Sequence, residues 1–568
     1  MSSAVPDRDI YGGVKRGRGY GTSPTFRLVK EGRRFLLATP EGNPFWLKAC
    51  YGIDIVDGGE KFVTAIKEKY KNDPTFKTWG YWWPFVATAA RNLKSWGFNA
   101  IGEYSSNYAL PVVSLNRGRA NDEKLPFLTI TNAAHYSKLR YGVKNVMAGV
   151  DKAVAPGLWR AEGFPDVFDP GFARAVDELT GAGQSPWLLA SSTDDRDYIF
   201  GFGPIRALGG WHNHLGWQAA ATSPTQDGNP KIWVGNKAGI TYTDKTVYTK
   251  VALRDYLREK YRTIEQLNAA WGSRYTTWDS DGAAWPNGKG LLDESGRSPW
   301  LGQDFYMLKD ATPGVRQDLD AFVGVIAEKY FSTTVGTLRK KRPGNLVAGS
   351  ATLSPHAHPE ILRAAGRWCD MVQFSNDGGM AAFSRGYSLV RKPFFVWTTF
   401  MAQADSPLAT TKGWAGDLKT QEDRARAYAK FVDELIAFRG DDDTFPCVGL
   451  DWWAYCDKVT GGESHNFGLV TTLDNPYDGV AARVQRGRDR WGNPIGGEAR
   501  DYGDFISGVK ATNDGVFSKM TDLGGSSFSA PRKLVVVLGA AAWLSERAAS
   551  MSLRRRDLIL PLSRRTPC

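Results

Sequence analysis

Three carboxylates close an apolar run in SPWLLASSTDDRDYIFGFG, residues 185–203, where Trp187, Leu188, Leu189 and Ala190 give way to Asp194, Asp195 and Asp197. Other short apolar runs end in the same kind of chemistry. Glu103 comes after FNAI, Asn376 and Asp377 after MVQFS, and Asp451 and Asp457 flank WWAYC. Glu463 and His465 stand in GGESHNFGLV. Two carboxyl groups facing one another across a cleft are the apparatus of glycosidic cleavage. One protonates the leaving oxygen and the other attacks the anomeric carbon or activates water, at about 5–5.5 Å separation for retention and about 6.5–9.5 Å for inversion. Crowding raises the pKa of one member, which then stays protonated near neutrality. The competing reading of Thr193–Asp197 is a helix cap with solvated charges.

Four of the six histidines form two HxH pairs, His212/His214 in GGWHNHLGW and His356/His358 in SPHAHPE. Alternate residues of a strand point the same way, so each pair could offer two imidazoles to a metal, with Asp194 or Asp195 beside them. The simpler reading has these histidines binding sugar hydroxyls or capping loops, and it calls for no metal or cofactor. The chain holds 21 Trp, 22 Tyr and 28 Phe. Trp82, Trp83, Trp211, Trp217, Trp397, Trp452 and Trp453 are candidate sugar platforms, although each taken singly suits a core equally well. Trp452 and Trp453 face opposite ways on one strand, so one of them looks into the cleft.

The elements that must position these groups follow from periodicity. Short strands are expected at 46–50, 99–103, 126–131, 187–192, 346–350, 371–375, 394–398 and 447–452. Helical patterns lie between them. In PFVATAARNLKSWG, Phe85, Ala89, Leu93 and Trp96 share a face and Gly97 stands at the end. DPGFARAVDELTG, RQDLDAFVGVIAEKYFSTTVGTLRKK and QEDRARAYAKFVDELIAFRG read likewise. Eight strands alternating with helices predict an α/β fold, a (β/α)₈ TIM barrel, with an open doubly wound sheet as the alternative. FRLVKEGRRFLLATPEGNPFWLKACYG adds an N-terminal β hairpin. The domain reading is a loose lead-in over 1–25, a barrel over 26–530 with a large insertion after strand four (about 204–315), and an appended basic tail over 531–568.

The formal charge of +12 raises a nucleic-acid reading, but eight Lys/Arg against Glu546 and Asp557 place half of it in the tail. No basic stripe interleaved with aromatics occurs in the body, so no nucleic-acid partner is expected. LVVVLGAAAWL is too short to span a bilayer, so no membrane partner is expected either. Five scattered cysteines (Cys50, Cys369, Cys447, Cys456, Cys568) give neither a zinc spacing nor a disulfide framework. MSSAVPDRDIYGGVKRGRGYG lacks an apolar export core. The default expectation is cytoplasmic, with secretion left open by a shortened start.

GNPFWLKACYGID, LKSWGFNAIGEYS, GFPDVFDPGFARAVDE, KYRTIEQLNAAWGS and GGESHNFGLVTTLDNPY together resemble the clan A glycoside hydrolases, in particular the agarase and β-galactosidase-like branches. The likeness runs over most of residues 40–480 and keeps the order of the strands above. It implies a (β/α)₈ barrel acting on β-linked sugars with retention. It also implies a Glu acid/base after an Asn at the end of strand four, where this chain has TDDRD and Asp195 takes the place. The family's nucleophilic Glu at the end of strand seven is absent from KPFFVWTTFMAQADSP, where Thr398 or Thr399 falls. An unactivated Thr is a poor nucleophile. The expected function is therefore hydrolysis of β-linked oligo- or polysaccharides, with Asp195 as proton donor and Asp194 as its neighbour or substitute. Glu103 and Glu463 remain for the second catalytic role. Trp397, Trp452, Trp453, His212, His214, His356, His358, Asn376, Asp377 and His465 are expected to contact substrate. A non-catalytic sugar-binding barrel and a metal-dependent hydrolase using the HxH pairs are the alternatives.

Overall fold

The computed structural model describes residues 7–15, 19–54, 58–105, 116, 118–143, 165–194, 248–279, 290–292, 312–351, 353–376, 378–402, 418, 420–459, 465–476, 502–522 and 535–536. Eight parallel strands make the barrel: β4 (Leu47–Tyr51), β5 (Ala100–Ile101), β6 (Phe127–Ile130), β7 (Leu188–Ser192), β8 (Leu346–Val347), β9 (Val372–Ser375), β10 (Phe394–Thr399) and β11 (Cys447–Trp453). Neighbours pair in sequence order, and β11 pairs back onto β4. The ring closes between β8 and β9 through an isolated parallel bridge of Leu353 with Phe374, where the Leu353 amide donates to the Gln373 carbonyl at 2.9 Å. All eight expected strands are present. β5 and β8 are two residues long, although backbone hydrogen bonds to their neighbours continue beyond them, from Gly102 to the Cys50 carbonyl and from Ala348 to the Ser191 carbonyl.

A second, antiparallel sheet holds β1 (Arg27–Glu31), β2 (Arg34–Ala38), β3 (Pro44–Phe45) and β12 (Val535–Val536), in the order β12-β1-β2-β3. The expected hairpin is β1–β2, and the C-terminal tail contributes β12 to its edge. This sheet sits at the amino ends of the barrel strands. β3 leads straight into β4, and Phe35 donates its amide to the Phe445 carbonyl two residues ahead of β11. Within the lead-in, Asp9 accepts from the amides of Tyr11 (3.0 Å) and Gly13 (2.8 Å) and from Asn43 Nδ2 (2.9 Å). Tyr11 is thereby held against Phe26 and Trp187.

Helices cover the barrel where apolar periodicity demanded them, and several carry a capping side chain at their start. Asp169 caps Pro170–Leu179, Thr312 caps Pro313–Lys341, and Thr420 with Asp423 forms a capping box on Gln421–Ala437. Among the described residues no helix is long and apolar enough to cross a membrane. Of the insertion after β7, the structure describes two helices, Tyr248–Tyr261 and Ile264–Trp271. Two buried aspartates tie them to the barrel. Asp166 accepts from the amides of Tyr248 (2.7 Å) and Thr249 (2.9 Å). Asp318, on the long helix, accepts from Trp271 Nε1 and Tyr261 Oη, both at 2.7 Å, and from Lys260 Nζ. Removing Asp318 leaves the buried Trp271 donor without its partner, which costs about 2–4 kcal/mol. Asp318→Ala is expected to lower unfolding stability in urea by that amount and to speed proteolysis within 248–271. An unchanged midpoint would show that the anchor is dispensable.

Candidate active site

The inward side chains of a (β/α)₈ barrel stack in layers of four taken from alternate strands, and branched aliphatics usually fill them. Here one layer is polar. Glu103 follows β5, Ser192 ends β7, Gln373 lies on β9 and Asp451 on β11: strands two, four, six and eight. All four are buried. Gln373 Nε2 donates to Glu103 Oε1 at 2.9 Å and also to Ser192 Oγ, so a single amide on strand six reaches strands two and four across the barrel axis. Asp451 closes the ring by resting on strand two. Its carboxylate occupies the space where a Cβ on Gly102 would project, hard against Tyr51 Cβ. Neither carboxylate oxygen of Asp451 has a hydrogen-bond partner of good geometry. Burial pushes its pKa well above the usual carboxylate range, the Glu103 charge pushes it further, and the Tyr51 backbone offsets part of this.

An aromatic shelf stands at the carboxyl ends of the strands. Tyr51, ending β4, lies parallel to Trp397 at 4.7 Å and to Trp453 at 6.0 Å between ring centroids. Tyr104 meets Trp397 at 6.1 Å. Trp453 is half-buried and also meets Phe400 and Phe467, while Lys458 Nζ stands 5.4 Å from its ring. At the end of β10, Trp397 Nε1, Thr398 Oγ1 and Thr399 Oγ1 are buried and make no hydrogen bond among the described residues. Thr398 has φ 60°, a left-handed conformation that a β-branched residue adopts only under constraint.

The expected site residues divide. Glu103, Trp397 and Trp453 gather on the axis and shelf. His465, buried, stacks on Phe467 at 4.7 Å and 4°. Asn376 is half-buried at the end of β9. Trp452 points outward as strand alternation requires: its Nε1 donates to the Phe467 carbonyl at 3.1 Å, and its ring packs between Tyr428 and Phe505. The Asp194 carboxylate is engaged away from the layer, accepting from the Ala134 amide and from Tyr330 Oη, each at 2.6 Å. His356 is exposed, whereas His358 caps Pro359–Trp368 and accepts the Glu360 amide on Nδ1 at 3.3 Å. That pair lies in a turn and a cap, not on a strand, so the rule that alternate side chains share a face does not govern it. Asp195, His212, His214, Asp377 and Glu463 lie outside the described residues. Among the described residues no three His, Cys, Asp or Glu side chains come together as a metal site would need.

Gln373, Ser192 and Tyr51 complete the site without having been among the expected residues, together with Asp451, which the sequence offered as a strand-eight carboxylate without a role. Their signal is the polar inward phase of strands two, four, six and eight, visible only once the strand ends are fixed. Asp457 supports the site from behind. It accepts from the Gly468 amide at 3.0 Å and Tyr502 Oη at 2.8 Å, which anchors the end of the loop carrying Glu463 and His465. Burial lifts its pKa to about 7 against the opposing pull of Tyr502, Arg424 and the Gly468 amide.

No protein-family profile matches the chain. Among curated proteins it is 23% identical to β-agarase B of Vibrio sp. (strain JT0107) over 520 residues, 84% of this chain and 49% of the relative. It is 22% identical to β-agarase A of the same strain over 406 residues, 68% of this chain and 34% of that one. The chain thus spans half or less of the length of the relatives it matches. Among solved structures, PfGH50B superposes with a TM-score of 0.61 at 16% identity, covering 90% of this chain and 69% of that one. An exo-β-agarase superposes at 0.59 and 18%, covering 91% and 68%. The fold shared with these structures is the (β/α)₈ barrel. Within this barrel Gly102 is the position at which a single methyl group separates the two axial acids. Gly102→Ala is expected to displace the Asp451 carboxylate and to lower stability by about 1–3 kcal/mol, read by urea denaturation. A variant as stable as the parent would show that the close approach is relaxed in solution.

Proposed function

We propose that the protein is a glycoside hydrolase that cleaves a β-linked polysaccharide of the agarose type. The observation that carries this reading is the pair of buried acids on the barrel axis beneath an aromatic shelf, at the end of the strands where barrels keep their chemistry. The likeness to β-agarases supports the substrate class. In this reading the faces of Trp453, Trp397 and Tyr51 bind the apolar faces of the sugar rings. The free donors and acceptors at Trp397, Thr398 and Thr399 bind hydroxyls. Asp195 donates the proton to the leaving oxygen. Asp194, bound to Ala134 and Tyr330, fixes the end of strand four next to Asp195 in the sequence. The second carboxylate is Glu103 or Glu463. Tyr51, Trp397 and His465 discriminate among substrates by shape and hydroxyl pattern.

Sugar binding without cleavage is the second reading. The strained Thr398 and neighbouring Thr399 favour it, because hydroxyls stand where the resemblance implies a nucleophilic carboxylate.

The deciding measurement is release of reducing ends from agarose, other galactans, β-glucan and mannan, with the product anomer followed by NMR. Asp195→Asn is expected to lower kcat by about 10²–10⁴-fold with little change in KM. Glu103→Gln and Glu463→Gln separate the two candidates for the second acid. Trp453→Ala is expected to raise KM about 5–10-fold through the lost stacking face. An Asp195→Asn variant as fast as the parent would remove that assignment. Tight saccharide binding with no product from any substrate would favour the binding-only reading.

A further inference from the structure

The segments that follow strands seven and eight meet beside the aromatic shelf, and a buried charged unit ties them together. Phe400, the first residue past β10, stacks on Phe467 at 4.2 Å between ring centroids. Both rings stand against Trp453, at 5.9 Å and 5.2 Å. With Ala402 they form a small apolar cluster apart from the main core. Phe400 and Phe467 thus back the Trp453 ring, to which the hydrolase reading gives a sugar. The backbone at Phe467 and Gly468 is gripped at successive polar groups. The Phe467 carbonyl accepts from Trp452 Nε1 at 3.1 Å, the Gly468 amide donates to Asp457 Oδ1 at 3.0 Å, and the Gly468 carbonyl accepts from Arg424 Nη2 at 3.2 Å. Residue 468 is glycine for lack of room: a Cβ there would stand 2.4 Å from the Asp457 amide nitrogen and from the Val470 carbonyl oxygen.

Arg424 reaches the other segment as well. Its Nε donates to the Met401 carbonyl at 2.9 Å, one residue past Phe400, so one guanidinium on the helix Gln421–Ala437 holds both ring-bearing segments at once. Asp457 accepts a second bond, from Tyr502 Oη at 2.8 Å, and the Tyr502 ring lies 4.9 Å from the Arg424 guanidinium. Arg424 and Asp457 are both fully buried. Two buried charged side chains cost desolvation that apolar ones of similar volume avoid, and what they supply is geometry: a planar guanidinium fixes the spacing of the two carbonyls it binds. We propose that Arg424 and Asp457 are positioning residues that set the spacing of the segments after strands seven and eight, and so hold Phe400 and Phe467 behind the Trp453 sugar face. The inference rests on the hydrolase reading for its effect on substrate, and on the hydrogen bonds and ring contacts for its effect on Trp453. Because that face binds sugar and carries no proton, the unit acts on KM more than on kcat.

Four variants of the full chain test this. Arg424→Lys keeps the charge and loses the planar fork. Asp457→Ala removes the partner of the Gly468 amide, and Asp457→Asn keeps an acceptor oxygen for it. Phe467→Leu removes the ring and leaves the buried charges untouched, so it serves even where the charge variants fail to fold. Arg424→Lys, Asp457→Ala and Phe467→Leu are each expected to raise KM for agarose by about 3–10-fold, with a smaller change in kcat. Asp457→Asn is expected to recover most of the loss seen in Asp457→Ala. Adding Arg424→Lys to Trp453→Ala is expected to raise KM no further than Trp453→Ala alone, since both act through one face. Without substrate, the near-UV circular dichroism that Trp453 contributes, read as parent minus Trp453→Ala, is expected to shrink in Arg424→Lys and Phe467→Leu and to persist in Asp457→Asn. An unchanged KM in Phe467→Leu would overturn the proposal, as would additive effects of Arg424→Lys and Trp453→Ala. A lowered urea midpoint in Arg424→Lys with the Trp453 signal intact would also overturn it, because the unit would then serve stability alone. If the parent cleaves no polysaccharide, the hydrolase reading fails while the Trp453 signal still decides the positioning.

Discussion

A carboxylate on the axis of a closed parallel barrel cannot be solvated, and the strands around it spend their own polar groups on each other. The rest of this molecule is arranged around that constraint. Strand six contributes an amide where an aliphatic side chain would normally fill the layer, and that amide is shared between strands two and four. Strand two carries glycine at 102 because the strand-eight acid needs the volume of its missing Cβ. The shelf of Tyr51, Trp397 and Trp453 then covers the layer, lowering the local dielectric and raising the cost of a second charge.

Buried charge is handled differently outside the barrel. Lys48, Arg342 and Arg424 each find backbone carbonyls or neutral side chains, and burial lowers the pKa of all three, Arg342 to about 10. Asp318 and Asp166 accept several donors apiece and join the insertion helices to the frame. These groups are satisfied one by one and hold packing in place. The axial pair differs, with Glu103 accepting from Gln373 while the Asp451 carboxylate presses on strand two at Gly102. An arrangement that keeps like charges together at the mouth of a barrel has no structural advantage over valines and leucines, which would fill the same layer without a desolvation cost. That asymmetry is the physical ground for placing function there.

The fold was legible because each strand is a short apolar run with a polar break, and several helices bring their own cap. Asp169 and Thr420 stand at the starts of the helical patterns read from the sequence, whereas Thr312 opens its helix earlier than the pattern that begins at Arg316. The alternation of Trp452 and Trp453 was legible for the same reason. The axial layer was less so. Gln373 stands inside MVQFS and passes for a core residue, and its partner Glu103 is 270 positions away. Recognising the layer needs the inward phase of four strands at once, and one of them, β5, is too short to display a phase. His356 and His358 misled for a related reason: the HxH spacing carries a common face only on a strand, and Pro355 and Pro359 place these two in a turn and a cap. Asp194 and Asp195 could not be separated by composition. The structure shows Asp194 bonded to Tyr330 on the long helix, two residues beyond the end of β7, where strand alternation no longer applies.

The displacement of charge from strand seven to strands two and eight bears on how the proposed chemistry would run. Strand seven ends in two hydroxyls on a constrained backbone, and the acids that remain on the axis lie beneath the aromatic rings. Glu103, bonded to Gln373 and buried, is better placed to set the electrostatic potential under a sugar ring than to form a bond with its anomeric carbon. On that reading, attack falls to a group carried by the mouth loops or to water activated there. Glu463, which follows strand eight in the sequence, is then the natural candidate for the second acid. The separation between that group and the proton donor would fix the stereochemical outcome, since room for a water between them means inversion. The barrel would thus divide its labour by depth, with a fixed charge on the axis, recognition on the rings and bond-making in the loops.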